Sequence, residues 1–193
     1  MKFPKQQTLD EIRGMFSVFG MEPYNCEEMS QFEHAAQTAI LAKKNGFDEE
    51  VQIAAFLHEI GNMLPVNYES ELMVVFGRKN LEKAAARYLT ARGFSEKVGA
   101  LVENHLHAKR YLMYRYPSYI NVVSGTGYQA FYSELKPMNE VEADAFEQNP
   151  YFDLIIHLRK WDDAARITGL RIPDLDHYLQ LIKQHLERKV NIF

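Results

Sequence analysis

His58 and Glu59 stand side by side at the end of an apolar run, Ala54-Ala55-Phe56-Leu57, and are followed by Ile60-Gly61. Burying an imidazole and a carboxylate costs free energy unless each finds a partner. A divalent cation is a partner for both. Successive helical residues point roughly 100° apart, so both side chains can reach one ion on the flank of a helix. For this pair alone, a hydrogen-bonded core histidine beside a glutamate that reaches to solvent is the better reading. Two more residues shift the balance: His34, which follows Phe32-Glu33 in an earlier helical segment, and Asp162, within Trp161-Asp162-Asp163 in a late one. Two cations keep company with these positions. Lys109 follows His105 by four residues and Arg159 precedes Asp162 by three, so each pair shares a helix face. The alternative for the cations is a solvated Lys109 and an Arg159 paired with Asp163 on the helix surface. His107 is two residues from His105 and points elsewhere, while His157, His177 and His185 have no matching partners and are assigned to the surface. Cys26 has no sequence-linked basic partner, and neither a Gly-rich phosphate loop nor a nucleophile elbow is present.

The elements that must position these groups read as helices. Thr8-Leu9-Asp10-Glu11 has the capping-box pattern and opens a segment that Gly20 ends. A second helix is predicted from about Cys26 to Asn45, stopped by Gly46. Asp48 caps a third, which ends near Gly61. An Ala-rich helix runs from Lys79 to Arg92, and Ser95 caps the next, which carries Val98, Leu101, Val102 and His105. Asn139 and Glu142 form another capping box. Pro150 sits where an N1 proline would, before a long helix through Trp161 to about Thr168. Pro173 and Asp174 open the last helix, with Leu175, Leu179, Ile182 and Leu186 on one face. Strand signals are scarce: Met73-Val74-Val75-Phe76 is short and has no partner run. Pro117 to Gly127 is the most loop-like stretch.

The chain has 193 residues and 47% hydrophobic composition, enough to build one core, and it is read as a single domain over 1–193. A net charge of −4 without a long basic run argues against nucleic acid as a partner and against an anionic membrane surface. One cysteine excludes an internal disulfide, and no apolar stretch approaches the length of a bilayer span. A cytoplasmic protein is the expectation.

One His, then a His-acid pair, then a distant Asp is the ligand order of the HD superfamily, so an all-α, HD-superfamily helical domain is expected. The chain resembles more closely the HD-domain mixed-valent di-iron oxygenases of phosphonate catabolism, the PhnZ type, distant relatives of myo-inositol oxygenase. The matching residues are Tyr24, Glu27, Ser30-Gln31, Glu33-His34, Ala54-Ala55, Leu57-His58 and Ile60-Gly61. They continue with Gly93-Phe94-Ser95, His105, Ala108 to Leu112, Asn149-Pro150-Tyr151 and Arg159 to Asp163, so the likeness covers about residues 20 to 170. The resemblance implies that His34, His58 and Asp162 hold a first metal ion. Glu59 replaces an aspartate shared by two metals. At the second position His105 is retained, Asn62 replaces one histidine and Leu81 another, with Asn80 as the neighbouring register. It further implies that Lys109 and Arg159 hold a phosphonate or phosphate oxyanion, and that Tyr24 and Glu27 form a lid. The bland reading of that last pair is that Tyr24 packs on the domain and Glu27 caps a helix start. Gly127 stands where the family has a substrate-contacting serine, and Glu134-Leu135-Lys136 replaces its Gln-Gly-Gly element. The family's aminoethylphosphonate is therefore not the expected substrate.

Leucine cannot bind a metal, and asparagine is a weaker ligand than imidazole. One ion is therefore expected, iron first, with Mn, Co or Zn as alternatives. Three functions follow. The first is a non-haem-iron oxygenase acting on a small anionic or polyol ligand. The second is a one-metal HD phosphohydrolase. The third is a catalytically silent descendant that binds a ligand through the old pocket, with Asn62 among the residues lining it.

Overall fold

A computed structural model describes residues 3–24, 28–64, 81–119 and 136–188. Every regular element among them is helical, as the expected fold class requires. Helix α1 spans Lys5–Phe19, α2 Gln31–Lys44, α3 Glu49–Leu57, α4 Leu81–Ala91, α5 Glu96–Arg115, α6 Glu140–Glu147, α7 Phe152–Ala164 and α8 Leu175–Arg188. A 3₁₀ turn, Ile60–Met63, follows α3. Glu27, Cys26, Asn80, Met73 to Phe76, Ser124 to Gly127, and Glu134-Leu135 lie outside the described residues.

Local side-chain chemistry sets most helix starts. Ser30 caps α2 in a full capping box with Glu33, and Asn139 caps α6 in another with Glu142. Asp48 accepts from Val51 N–H, Ser95 from Val98 N–H and Asp174 from His177 N–H. Three expectations are corrected. Thr8 lies inside α1, which already begins at Lys5; its hydroxyl faces the Pro4 carbonyl, so it is not a cap. Helix α2 starts at Gln31, because the box at Ser30 and Glu33 satisfies the first N–H groups there. Helix α7 starts at Phe152 rather than beside Pro150, and it ends at Ala164.

Helix α3 lies at the centre, packed against α2, α5, α7 and α8. Its Phe56 stacks between Phe16 of α1 (4.6 Å between ring centroids) and Tyr178 of α8 (4.1 Å). That face of α3 belongs to the apolar core, and the end of the helix turns His58 to the other side, toward α2, α5 and α7. Gly61 lets α4 close over this end. A Cβ at Gly61 would stand 2.6 Å from the Leu81 carbonyl oxygen, so only glycine allows this approach without a shift of backbone. His185 corrects its surface assignment: it is 6% exposed, because its Nε2 accepts from Ser95 N–H and its ring lies against Phe94. His157 is exposed, His107 is exposed with Nδ1 beside Asn104, and His177 is half-buried.

Candidate metal centre

His34, His58, Glu59 and Asp162 each bring one ligand atom into a group whose members all lie within 4.8 Å of one another. The chain donates them from α2, the end of α3 and α7. Helix α2 presents His34 one turn after its cap, and α7 presents Asp162 near its C-terminal end. His34, His58 and Asp162 are each about 1% exposed, while Glu59 is half-buried.

The hydrogen bonds around the histidines settle which nitrogen faces the centre. His34 Nδ1 lies 3.1 Å from the Ala165 carbonyl, His58 Nδ1 2.8 Å from that of Ala55, and His105 Nδ1 2.8 Å from that of Val102. A carbonyl oxygen only accepts, so each Nδ1 carries the proton and donates it. Each Nε2 is left to bind something else, the arrangement that orients metal-ligating imidazoles. His34 Nε2 and His58 Nε2 stand 3.3 Å apart, and Asp162 Oδ1 is 3.3 Å from the former. Two imidazole lone pairs turned toward each other repel unless a cation or a proton lies between them. Two buried imidazoles and two carboxylates fit a divalent metal ion, and the donor set suits iron, manganese, cobalt or zinc.

The surrounding charges sharpen this. Burial alone would push the His58 imidazolium to lose its proton, but the Asp162 and Glu59 carboxylates outweigh it and raise the His58 pKa. Burial opposes the Asp162 charge as well, yet Arg159 and His58 hold its carboxyl well below the usual range. Burial, then the charge of His58, push His105 down to about 3, so it is a neutral imidazole at any ordinary pH. Its ring lies edge-on to His58, 5.2 Å between centroids. His105 is therefore beside the four-residue group rather than in it.

The two expected anion-binding residues are both buried. Lys109 is 2% exposed and Arg159 3%. Burial, then the nearby Arg159, push Lys109 down to about 7. Arg159 pairs with Asp163, as the surface alternative had it, but in the interior. Its Nη1 is 2.6 Å from Asp162 Oδ2, its Nη2 bonds Asp163, and Tyr119 donates to the same Asp163 carboxylate. Asp162 Oδ2 touches Arg159 without forming a hydrogen bond, and the buried Arg159 Nε has no hydrogen-bond partner among the described residues.

Tyr24 stacks on His34 with centroids 3.7 Å apart and planes 9° apart. Its hydroxyl stands 3.4 Å from Glu59 Oε1 and 3.5 Å from Asp162 Oδ1. Asn62, in the 3₁₀ turn, is exposed and lies outside the four-residue group. Leu81 opens α4 with its backbone against Gly61. Two groups near the centre escaped the sequence reading. Glu82 follows Leu81, and burial, with a smaller push from Glu59, raises its carboxyl above the ordinary range. Gln37, one turn after His34, is buried and holds the chain beyond α7. The capping box and the His34 position marked that face of α2, but only the fold shows what Gln37 meets.

The HD-domain family model matches residues 32–191. The chain is 34% identical over 161 residues to hydroxymethylphosphonate dioxygenase of Gimesia maris, covering 83% of this chain and 80% of that protein. It is 29% identical over 194 residues to the 1-hydroxy-2-(trimethylamino)ethylphosphonate dioxygenase (glycine-betaine-forming) of Leisingera caerulea, covering 97% and 94%. It is also 32% identical over 185 residues to an uncharacterised protein of Acanthamoeba polyphaga mimivirus, covering 96% and 84%. With a helical fold, a His–His–Glu–Asp group at its interior and these relatives, the chain belongs to the HD-domain family, in the PhnZ-type group whose relatives named above are phosphonate dioxygenases.

Proposed function

We propose that this protein oxidises a small phosphonate that carries a hydroxyl on the carbon bonded to phosphorus. The observation that carries the reading is the convergence of His34 Nε2 and His58 Nε2 at 3.3 Å with two carboxylates, each imidazole locked by its Nδ1–H. The substrates named for the two dioxygenase relatives share the 1-hydroxyphosphonate unit, which supports the substrate class. The single ion is proposed to be iron, held by His34, His58, Glu59 and Asp162. When bound, iron supplies the redox chemistry with dioxygen that such an oxidation needs. Glycine betaine contains no phosphorus, so the product named for the second relative implies that the carbon–phosphorus bond breaks. For hydroxymethylphosphonate the balanced reaction is one dioxygen in, one formate and one phosphate out, with one new oxygen on each.

The protein's own groups bind and orient. Lys109 and the buried Nε–H of Arg159 are the cationic donors for the phosphonate oxygens. Asp163, tied to Tyr119, fixes the guanidinium in place. The neutral His105 is an uncharged wall or acceptor beside the centre. The Tyr24 ring holds the His34 plane, and its hydroxyl reaches the carboxylates on the side where a hydroxylated substrate would displace it. Glu27 and Asn62 are further candidates for ligand contact.

A one-metal phosphohydrolase is the second reading, favoured by the four-ligand set standing without His105. The test is to load the chain with iron(II) anaerobically, add hydroxymethylphosphonate, and admit oxygen. Phosphate and formate formed in equal amounts with oxygen uptake are expected. Phosphate release from a phosphate monoester without oxygen, and none from the phosphonate, would overturn the oxidative reading in favour of the hydrolase. No turnover of either class would leave a ligand-binding descendant.

A further inference from the structure

The three histidines at the centre are locked in two different ways. His58 and His105 donate to carbonyls three residues back, Ala55 and Val102, so their own helical turns fix them. His34 donates to Ala165, across 131 positions of sequence. Its orientation depends on where the chain runs after α7. Ala165, at φ −78° and ψ 62°, leaves the helix there, and Arg166 N–H closes back on the Ala164 carbonyl at 2.9 Å. This is the geometry of an inverse γ-turn, which alone is a weak constraint.

Gln37 supplies the missing constraint. It is 3% exposed and lies on α2 three residues after His34, on the same face. Its Nε2 donates to the Ile167 carbonyl at 2.7 Å, and its Oε1 accepts from Ile167 N–H at 3.0 Å. The amide thus pairs with one residue's backbone on both sides. The connection closes a ring: Gln37 and His34 on α2, Ile167 and Ala165 after α7, and Asp162 on α7 itself.

We propose that Gln37 is a positioning residue for the metal centre, acting through the 165–167 segment to hold the Ala165 carbonyl against His34 Nδ1–H. It registers His34 against Asp162, ligands from helices far apart in sequence. A buried glutamine with only a packing role would need its amide satisfied, but it would have no reason to select this turn. The proposal rests on the metal-centre reading for its functional meaning, though not for its structural test.

The test uses the full chain labelled with 15N-histidine. In the metal-free protein, the Nδ1–H cross-peaks of His34, His58 and His105 are recorded in wild type and in Gln37→Leu. The expected result is selective. The His34 cross-peak weakens or vanishes through exchange, while those of His58 and His105 persist and report an intact fold. Manganese(II) affinity then falls by about 10–100-fold, the usual cost of losing an outer-shell partner. Gln37→Glu keeps the acceptor for Ile167 N–H and loses the donor, so it lies between wild type and Gln37→Leu. It carries the same test should Gln37→Leu not fold. An unchanged His34 cross-peak in the folded variant overturns the proposal. A wild-type chain that binds no manganese or iron overturns the metal-centre reading instead, and the cross-peak comparison still stands by itself.

Discussion

At the scale of single residues, Arg159 and Lys109 are not equivalent cations. Arg159 is the counter-charge of two carboxylates, Asp162 and Asp163, in a buried setting. Truncation would remove the guanidinium that pairs directly with both, and removing one partner of a buried ion pair costs about 3–5 kcal/mol. Arg159→Ala is therefore expected to lower the melting temperature sharply, and its effect on ligand affinity will be inseparable from the damage to Asp162. Lys109→Met is the cleaner probe. With its pKa pushed down to about 7, Lys109 is an ammonium below neutrality and an amine above it. Sulfate keeps a constant charge over this range, so sulfate affinity of the metal-free protein should be highest below pH 7 and fall as pH rises through it. In Lys109→Met the fall attributable to Lys109 should vanish, with affinity at pH 6 lower by about 1.5–3 kcal/mol. Calorimetric titration at pH 6 and pH 8 measures both. A sulfate affinity with the same pH dependence in both proteins would show that Lys109 does not meet the anion. The pairing of Arg159 with Asp163 was legible in the sequence from its four-residue spacing. The place of Arg159 on the interior face with Asp162 was legible from the three-residue spacing, but the Tyr119 bond to Asp163 was not, because Tyr119 arrives from elsewhere in the chain.

At the scale of elements, the centre is built where α3 stops. Helix α3 ends at Leu57, His58 takes the cap position, and a 3₁₀ turn carries the chain under α4. Gly61 governs that passage. Gly61→Ala would drive a methyl group onto the Leu81 backbone, and overpacking of this kind costs about 1–3 kcal/mol. Because the shift falls two residues from Glu59, metal affinity should drop along with stability, as chemical denaturation and manganese titration would show. A variant that loses stability and keeps full affinity would separate the turn from the centre. The sequence marked Gly61 as a helix stop and as a family match, without the physical reason for glycine. The reason for glycine there is a neighbour that arrives from about twenty residues later, which periodicity does not encode. The caps at Asp48, Ser95, Asn139 and Asp174 were legible because each acts within three residues of itself. Thr8 misled for the complementary reason: the same pattern is compatible with a residue one turn inside a helix.

At the scale of the whole molecule, the central helix α3 has an aromatic stack on one side and a polar centre on the other. The order of His34, His58 and Asp162 along the chain was enough to foresee that α2, α3 and α7 would meet. What the order could not convey is the set of long-range bonds that tune the meeting, from His34 to Ala165 and from Gln37 to Ile167. His185 shows the same limit: its helix face was read correctly at Leu179, Ile182 and Leu186, yet the partner that buries it lies at Ser95. The function proposed for the centre depends on the metal ion. Anaerobic loading with iron(II), removal of loosely held ion and a count of what remains tests it most directly. One iron per chain is expected, lost in His34→Ala and in Asp162→Ala. Asn62→His combined with Leu81→His is expected to move the count toward two. Two irons in the unmodified chain would contradict the single-ion centre, and none would contradict the centre altogether.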